Sequence, residues 1–235
     1  MERNRPVLPA LEEFRNLNTC IAASAIETFG VRLPNSGFAY ARIHSMFEDL
    51  PPVAGYAVTA RIRSAAPPME GDGYRYARPD WWNYILSIPA PRVAVLEDLD
   101  DPPGLGAFVG EVNANIFLAL GCVAVVTNGA VRDLAEVRAT GLSLFAGNVS
   151  VSHAYAHISD FGGPVMIGGL AVRPGDLLHG DRHGVHSIPL EVADKLPGAA
   201  REILEKRERI VRVCHSSGFS VEKLNRIVTE VAKNT

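Results

Sequence analysis

Arg132 and Asp133 stand side by side directly after the segment Thr127-Asn128-Gly129-Ala130-Val131, and Glu111 lies 21 positions before the arginine. The run Val123 to Thr127 reads as a buried strand and the residues from Arg132 as the start of a helix, so the turn between them delivers both side chains to the end of a sheet. Ligands collect at such strand ends in open α/β sheets. A hard carboxylate oxygen there suits Mg²⁺ or Mn²⁺. A guanidinium suits a carboxylate or an enolate oxygen. Gly110-Glu111-Val112-Asn113-Ala114 opens another helix, and the unpaired amides of a helix start can receive a carboxylate. On spacing alone a structural reading stays open beside the chemical one, with Asp133 charging the first turn of a helix and Arg132 solvated.

The elements around these residues must hold them in place. Residues 110–121 fit a helix, 123–127 a strand, 132–140 a second helix ended by Gly141, and 142–145 another strand. That alternation argues for an α/β unit. Upstream, residues 9–29 read as helical, with Thr19 capping a turn that carries Ile21, Ala22, Ala25 and Ile26, and Gly30 as the stop. Residues 53–63 alternate apolar and polar, which predicts a half-buried strand. The Pro- and Gly-rich stretch 65–79 reads as a surface loop, followed by a short helix from Trp81 to Ile88 capped by Asp80. Residues 92–97 read as a strand and 98–106 as a turn-rich connection. Downstream, 150–188 breaks into short β segments at Gly162-Gly163-Pro164, Gly168-Gly169, Pro174-Gly175 and Gly180, which predicts a meander on the same core. Residues 199–214 form an amphipathic helix with Ile203, Leu204, Ile210, Val211 and Cys214 near one face. Ser220 caps a last helix with Glu222 in its first turn. Nothing splits the chain, so 1–235 is expected to be a single domain.

Composition narrows the partners. The 235 residues are 47% hydrophobic and 21% charged, the balance of a globular protein. Lys and Arg number 23 against 26 Asp and Glu, a net charge of −3, which gives no electrostatic reason to expect nucleic acid or an acidic membrane. Cys20, Cys122 and Cys214 are far apart and form no C-x-x-C pair, so they read as reduced core thiols. The first 20 residues contain Glu2, Arg3, Arg5, Glu12, Glu13 and Arg15 and no apolar leader. No run of about 18 apolar residues suggests a membrane span. A cytoplasmic location follows as the default expectation.

Other constellations are weaker. His153, Tyr155 and His157 lie in an alternating stretch that reads as a strand, where they would share one face. That geometry does not suit an H-x-x-x-H zinc helix, so they read as ordinary polar or interface residues. The glycines at 104, 106 and 110 do not join a strand to a helix at dinucleotide-binding spacing. No G-x-S-x-G elbow supports a hydrolase triad.

Residues 110–146 (GEVNANIFLALGCVAVVTNGAVRDLAEVRATGLSLFA) resemble the core of the RraA-like family, which contains the regulator of ribonuclease activity A and the 4-hydroxy-4-methyl-2-oxoglutarate aldolases. Residues 169–189 (GLAVRPGDLLHGDRHGVHSIP) resemble its later signature, V-x-PGD followed by GD-x-x-GV-x-x-IP. The likeness covers 110–191 well and is weaker over 15–60 and 199–225. It implies a compact, single-domain α/β fold in β/β/α layers, of the swivelling-domain kind, with C-terminal helices over 199–233. It also implies a trimer, sometimes stacked as a hexamer, with active sites between subunits.

In the aldolases the corresponding residues imply Asp133 as the direct metal ligand, Arg132 as the group that holds substrate and steadies the enolate, and Glu111 as the acid reaching the metal's water shell. The amides of Val112 and Asn113 would receive the substrate carboxylate. A glutamate on a neighbour's C-terminal helix completes the site; Glu205 is the best match, because Arg209 follows four residues later, and Glu208 is second. The aldolases usually carry Asp where this chain has Glu111, and Asp where it has Asn128. The stretch 65–91, with Trp81 and Trp82, has no clear counterpart in small members and reads as a cover for the site or an assembly element.

The expected function is therefore a divalent-metal-dependent carbon–carbon lyase, an aldolase or an oxaloacetate-type decarboxylase, acting on a small 2-oxo acid through a pyruvate enolate. A metal-ordered water near Glu111 is the simplest proton relay. The alternative is a non-catalytic regulator acting by protein contact. Nothing reads as the nucleoside-cofactor site of a quinone methyltransferase.

Overall fold

The computed structural model describes residues 8–40, 42–68 and 78–233. In chain order the elements are α1 (Leu8–Phe14), α2 (Thr19–Glu27), β1 (His44–Ser45), β2 (Val53–Arg63), α3 (Pro79–Ser87), β3 (Arg92–Asp98), β4 (Ala107–Val109), α4 (Glu111–Ala119), β5 (Cys122–Val131), α5 (Leu134–Thr140), β6 (Ser143–Val149), β7 (His157–Phe161), β8 (Val165–Ile167), β9 (Leu170–Val172), β10 (Leu177–Asp181), β11 (Gly184–Ile188), α6 (Leu196–Cys214) and α7 (Val221–Lys233).

One mixed sheet of nine strands runs β1-β6-β5-β3-β2-β10-β11, with β4 joined to the end of β5 and β7 to the end of β2. The centre, β2, β3, β5 and β6, is parallel, because helices provide the crossovers. Both faces of that centre are apolar. Val58, Ala60, Ile62, Ala94 and Leu96 pack with the helices. Ala57, Val93, Val95, Ala124 and Val126 pack with Val165, Ile167, Leu170 and Val172 of the β8–β9 hairpin. Hairpin, sheet and helices make the three layers that the family resemblance implies.

Several expectations change. β2 is not half-buried: its residues from Val53 to Ala60 are all buried, because it is an interior strand covered on both faces. Thr59, a polar position of that alternation, is buried and its hydroxyl donates to the Gly163 carbonyl at 2.7 Å. The helix expected over 9–29 is two helices. Asn18, not Thr19, caps α2 by accepting from the Ile21 amide at 2.9 Å. The helix α3 begins at Pro79, and Asp80 makes no cap but pairs with Arg78 at 3.0 Å. Of the stretch 65–79, residues 69–77 lie outside the described residues. Trp81 is buried in an aromatic cluster with Tyr84 and Phe161, ring centroids 5.3–5.6 Å apart, which fastens α3 to β7. The segment 150–188 is not a simple meander, since β7 and β10 both pair with β2. Only Cys122 is a core thiol; burial pushes it up to about 12, whereas Cys20 and Cys214 are exposed on the outer sides of their helices. No helix among the described residues is long and apolar enough to cross a membrane.

The β10–β11 hairpin carries a buried polar knot. Asp181 accepts the Thr19 amide at 2.9 Å and the Thr19 hydroxyl at 2.7 Å, anchoring the start of α2. His179 and His186, 1% and 2% exposed, face each other across the hairpin with Nδ1 to Nε2 at 3.0 Å. One of these nitrogens must donate and the other accept, so the pair is matched as two neutral rings. Burial lowers His179 to about 4, against the pull of Asp181. A neutral histidine with a depressed folded value contributes stability that is complete above its ordinary value of about 6.5 and is lost as pH falls towards the folded value. Unfolding free energy should therefore drop by about 3 kcal/mol between pH 7 and pH 4 from this residue. Denaturant melts of the protein and of His179→Leu across that range should show a flatter pH dependence in the variant.

Candidate active site

β5 ends at Val131, and the next amide, that of Arg132, donates to the Val109 carbonyl at 2.9 Å. This bond ties the end of β4 to the turn after β5. Asp133 then adopts the left-handed conformation, φ 52° and ψ 46°. That conformation costs an L-residue about 1–2 kcal/mol, and aspartate and asparagine tolerate it better than most. The Asp133 carbonyl starts α5 by accepting the Val137 amide at 2.8 Å, but its side chain does not cap α5. The carboxylate instead turns to the other helix: Oδ2 accepts the Glu111 amide, the first of α4, at 3.2 Å, and Oδ1 accepts Arg132 Nε at 3.0 Å. Gly110 leaves room for this, since a Cβ there would lie 2.4 Å from Asp133 Oδ2.

Burial pushes the Asp133 pKa up, but the hydrogen bonds from Arg132 and the Glu111 amide, with coulombic attraction to Arg132 and His153, outweigh it and hold the carboxyl below its usual range. The side chains of Arg132 and Asp133 are 32% and 31% exposed. Each Asp133 oxygen accepts one protein hydrogen bond and keeps a further lone pair for a ligand. The first helical bond of α4 joins the Ala114 amide to the Gly110 carbonyl, so the amides of Val112 and Asn113 stand outside the helical ladder. The Asn113 side chain itself is turned inward and donates to the Phe108 carbonyl at 2.6 Å.

Asn128 has a scaffold role. Its Oδ1 accepts the Asp98 amide at 2.7 Å and its Nδ2 donates to the Asp98 carbonyl at 2.9 Å. A side-chain amide both donates and accepts; an ionised carboxylate at 128 could only accept. Asn128 therefore ties the ends of β3 and β5 without taking part in the Arg132–Asp133 pair.

The structure brings together Glu111, Val112, Asn113, Arg132 and Asp133. It does not bring Glu205 or Glu208 to them within one chain. Both are exposed on α6, which packs on α1, α2 and α7, and Arg209 pairs with Glu230 of α7. His153 is the residue that sequence reasoning misplaced. Residues 150–156 form no strand, because Ala154 takes a positive φ of 45°, and His153 sits near enough for its charge to act on Asp133. The excess of small and turn-forming residues after Val149 was the available signal against a strand. Two cavities, of about 670 and 480 Å³, lie elsewhere: one beside Arg32 and Glu191, the other between Leu11 and Val123.

Among the described residues no three His, Cys, Asp or Glu side chains converge as a metal cage. The donor set is one half-exposed carboxylate. It fits Mg²⁺ or Mn²⁺, which keep several waters and bind through one or two carboxylates, better than a closed four-ligand site. Gly110→Ala should push the Asp133 carboxylate from its two donors and cost about 1–3 kcal/mol of stability by overpacking. Thermal melts, with titration of the protein by Mn²⁺, would check both effects.

The family model RraA-like (Aldolase/RraA) matches residues 23–186. A protein of Halalkalibacterium halodurans, provisionally named a 4-hydroxy-4-methyl-2-oxoglutarate aldolase, is 29% identical over 104 residues, 44% of this chain and 46% of that one. Protein DlpA of Legionella pneumophila is 26% identical over 144 residues, 60% of this chain and 23% of that one. The chain thus spans less than half the length of either relative. Among solved structures, an uncharacterized protein of Pseudomonas syringae pv. tomato superposes with a TM-score of 0.73 at 22% identity over 96% of this chain and 97% of that one. RraAS2 of Streptomyces coelicolor, described as an unusual member of the RNase ES inhibitor RraA protein family, superposes with a TM-score of 0.67 at 19% identity over 87% and 96%. These likenesses carry the fold. With the family model spanning most of the sequence, the chain belongs to the RraA-like (Aldolase/RraA) family.

Proposed function

We propose that the protein is a divalent-metal-dependent carbon–carbon lyase that acts on a small 2-oxo acid through its enolate. The observation that supports this reading most is the Asp133 carboxylate, held by Arg132 Nε and the Glu111 amide with lone pairs still open to the surface. Mg²⁺ or Mn²⁺ at Asp133 would supply Lewis-acid polarisation of the substrate's keto and carboxylate oxygens. Arg132 spends its Nε on Asp133, so the two terminal nitrogens of its guanidinium remain for oxygens on which charge develops. The free amides of Val112 and Asn113, at the positive end of α4, would hold the substrate carboxylate. Glu111, exposed beside them, would order water at the site's edge. Decarboxylation of an oxaloacetate-like acid needs the same charge stabilisation, so both activities are open to one site.

Purified protein with Mg²⁺ or Mn²⁺ should release pyruvate from one or more 4-hydroxy-2-oxo acids or from oxaloacetate, and Asp133→Ala should not. No turnover across such a panel would favour the regulatory alternative, in which the chain acts by protein contact.

Arg132→Lys keeps the charge but loses the planar fork and its bond to Asp133. Steady-state kinetics should show kcat reduced by about 100-fold or more; a rise in KM alone would make Arg132 a peripheral binding group.

The same reading places Glu205 of a neighbouring subunit of a trimer at each site, because within one chain α6 lies apart from α4 and α5. Mixing inactive Asp133→Ala and Glu205→Ala subunits should restore some activity after subunit exchange, since a mixed trimer can contain a site with both residues intact. No recovery after verified exchange would mean that Glu205 is not the completing residue.

A further inference from the structure

The segment after β6 wraps the same strand end that carries Asp133. The Ser150 amide donates to the Val131 carbonyl at 3.0 Å, two residues before Asp133, and the Ser150 hydroxyl donates to the Leu105 carbonyl at 2.9 Å. The Ala107 amide donates to the Ser152 carbonyl at 2.8 Å. The chain then turns at Ala154, where φ is 45°. This close approach requires Gly106, since a Cβ there would lie 2.3 Å from the His153 carbonyl oxygen. These bonds fix a half-buried His153 over β4, the strand that leads directly into Gly110 and Glu111.

The imidazole has a defined tautomer. Its Nδ1 lies 2.6 Å from the Ala107 carbonyl oxygen. A carbonyl only accepts, so Nδ1 carries the hydrogen, and in the neutral ring Nε2 is left with its lone pair. The opposite side of the ring, where Nε2 lies, points away from that carbonyl. His153 lies near enough to Asp133 to be among the groups that lower its pKa. A ring anchored at Nδ1, with a lone pair on Nε2 and its loop tied to the strand end that carries Asp133, has the arrangement of a general base.

We propose that His153, through Nε2, is the base that takes the hydroxyl proton of a 4-hydroxy-2-oxo acid bound at the Asp133 site; the assignment rests on the lyase reading above. Nε2 removes the proton from the oxygen on C4. The O–H electron pair becomes the second bond of the new carbonyl, the C3–C4 bond breaks, and its pair passes to C3 as the enolate of the departing 2-oxo acid. His153 then gives its proton to solvent and C3 takes one from solvent, so the balance closes without an oxidant or a second reactant. The hydroxyl is thus the feature that His153 recognises.

The test uses two variants and two readouts on the full chain with Mg²⁺. His153→Asn keeps a side-chain N–H for the Ala107 carbonyl and removes Nε2; His153→Ala removes both. Cleavage of a 4-hydroxy-2-oxo acid that the wild type accepts should fall by about 100-fold or more in both variants. Oxalate, a planar mimic of the enolate with no hydroxyl to deprotonate, should bind the wild type and both variants equally by calorimetry. Retained cleavage in His153→Asn, with loss only in His153→Ala, would overturn the proposal and leave His153 as an anchor. Loss of oxalate affinity in step with cleavage would overturn it too, by making His153 a wall of the binding site. A wild type that cleaves none of the hydroxy acids would remove the lyase reading, and the assignment with it.

Discussion

The Asp133 carboxylate receives hydrogen bonds from two directions, one from its own neighbour Arg132 and one from the first amide of α4. For both donors to reach it, β4 and β5 must end side by side, α4 must start where β4 stops, and Asp133 must turn into the left-handed region instead of continuing into α5. The β4–β5 pairing is short, Ala107 with Ala130 and Val109 with Val131, and the Arg132–Val109 backbone bond extends it by one step. Gly110 is the point at which this geometry meets a steric limit. The backbone strain at Asp133 sits where a ligand would be held and is carried by the buried centre of the sheet.

That centre is rigid because it is covered twice. Helices pack on one face and the β8–β9 hairpin on the other, so β2, β3 and β5 have apolar side chains at successive positions, not at alternate ones. Several polar groups inside are matched: Thr59 with Gly163, Asn128 with the Asp98 backbone, Arg92 with the Ile88 and Leu120 carbonyls. Asp98 shows what such matching costs. Its carboxylate accepts the amides of Asp100 and Gly104, yet burial still raises its pKa. The knot of Asp181, His179 and His186 serves at the opposite edge, joining the first helices to the sheet.

Much of this was legible in the residues. The strand-to-helix turn at Thr127–Asp133, the helix start at Gly110 and the two spaced signatures anticipated the layers and the strand end at which Glu111, Arg132 and Asp133 meet. What escaped depended on tertiary context. The alternation over 53–63 suggested one wet face, but Thr59 and Gly55 are covered by elements distant in sequence. Thr19 looked like a cap because its type suits one; the hydroxyl is drawn instead to Asp181, 162 positions away. The period of two through 150–157 hid the turn at Ala154, and with it the placement of His153. Asn128 read as a departure from the aldolase pattern and proves to be a brace between two strands. Glu205 could be placed on a helix, but within one chain α6 packs on α1, α2 and α7 and not beside Arg132 and Asp133.

The account depends on Asp133 binding a divalent cation in the geometry that Arg132 and Glu111 set. Electron paramagnetic resonance of Mn²⁺, titrated into the protein and into Asp133→Asn, measures that directly. Asparagine tolerates the left-handed turn and can still accept a hydrogen bond, so the variant should keep its fold. The account predicts that the wild type takes up Mn²⁺, that Mg²⁺ competes for it, and that the folded variant leaves the Mn²⁺ signal free. Equal uptake by both proteins would contradict it.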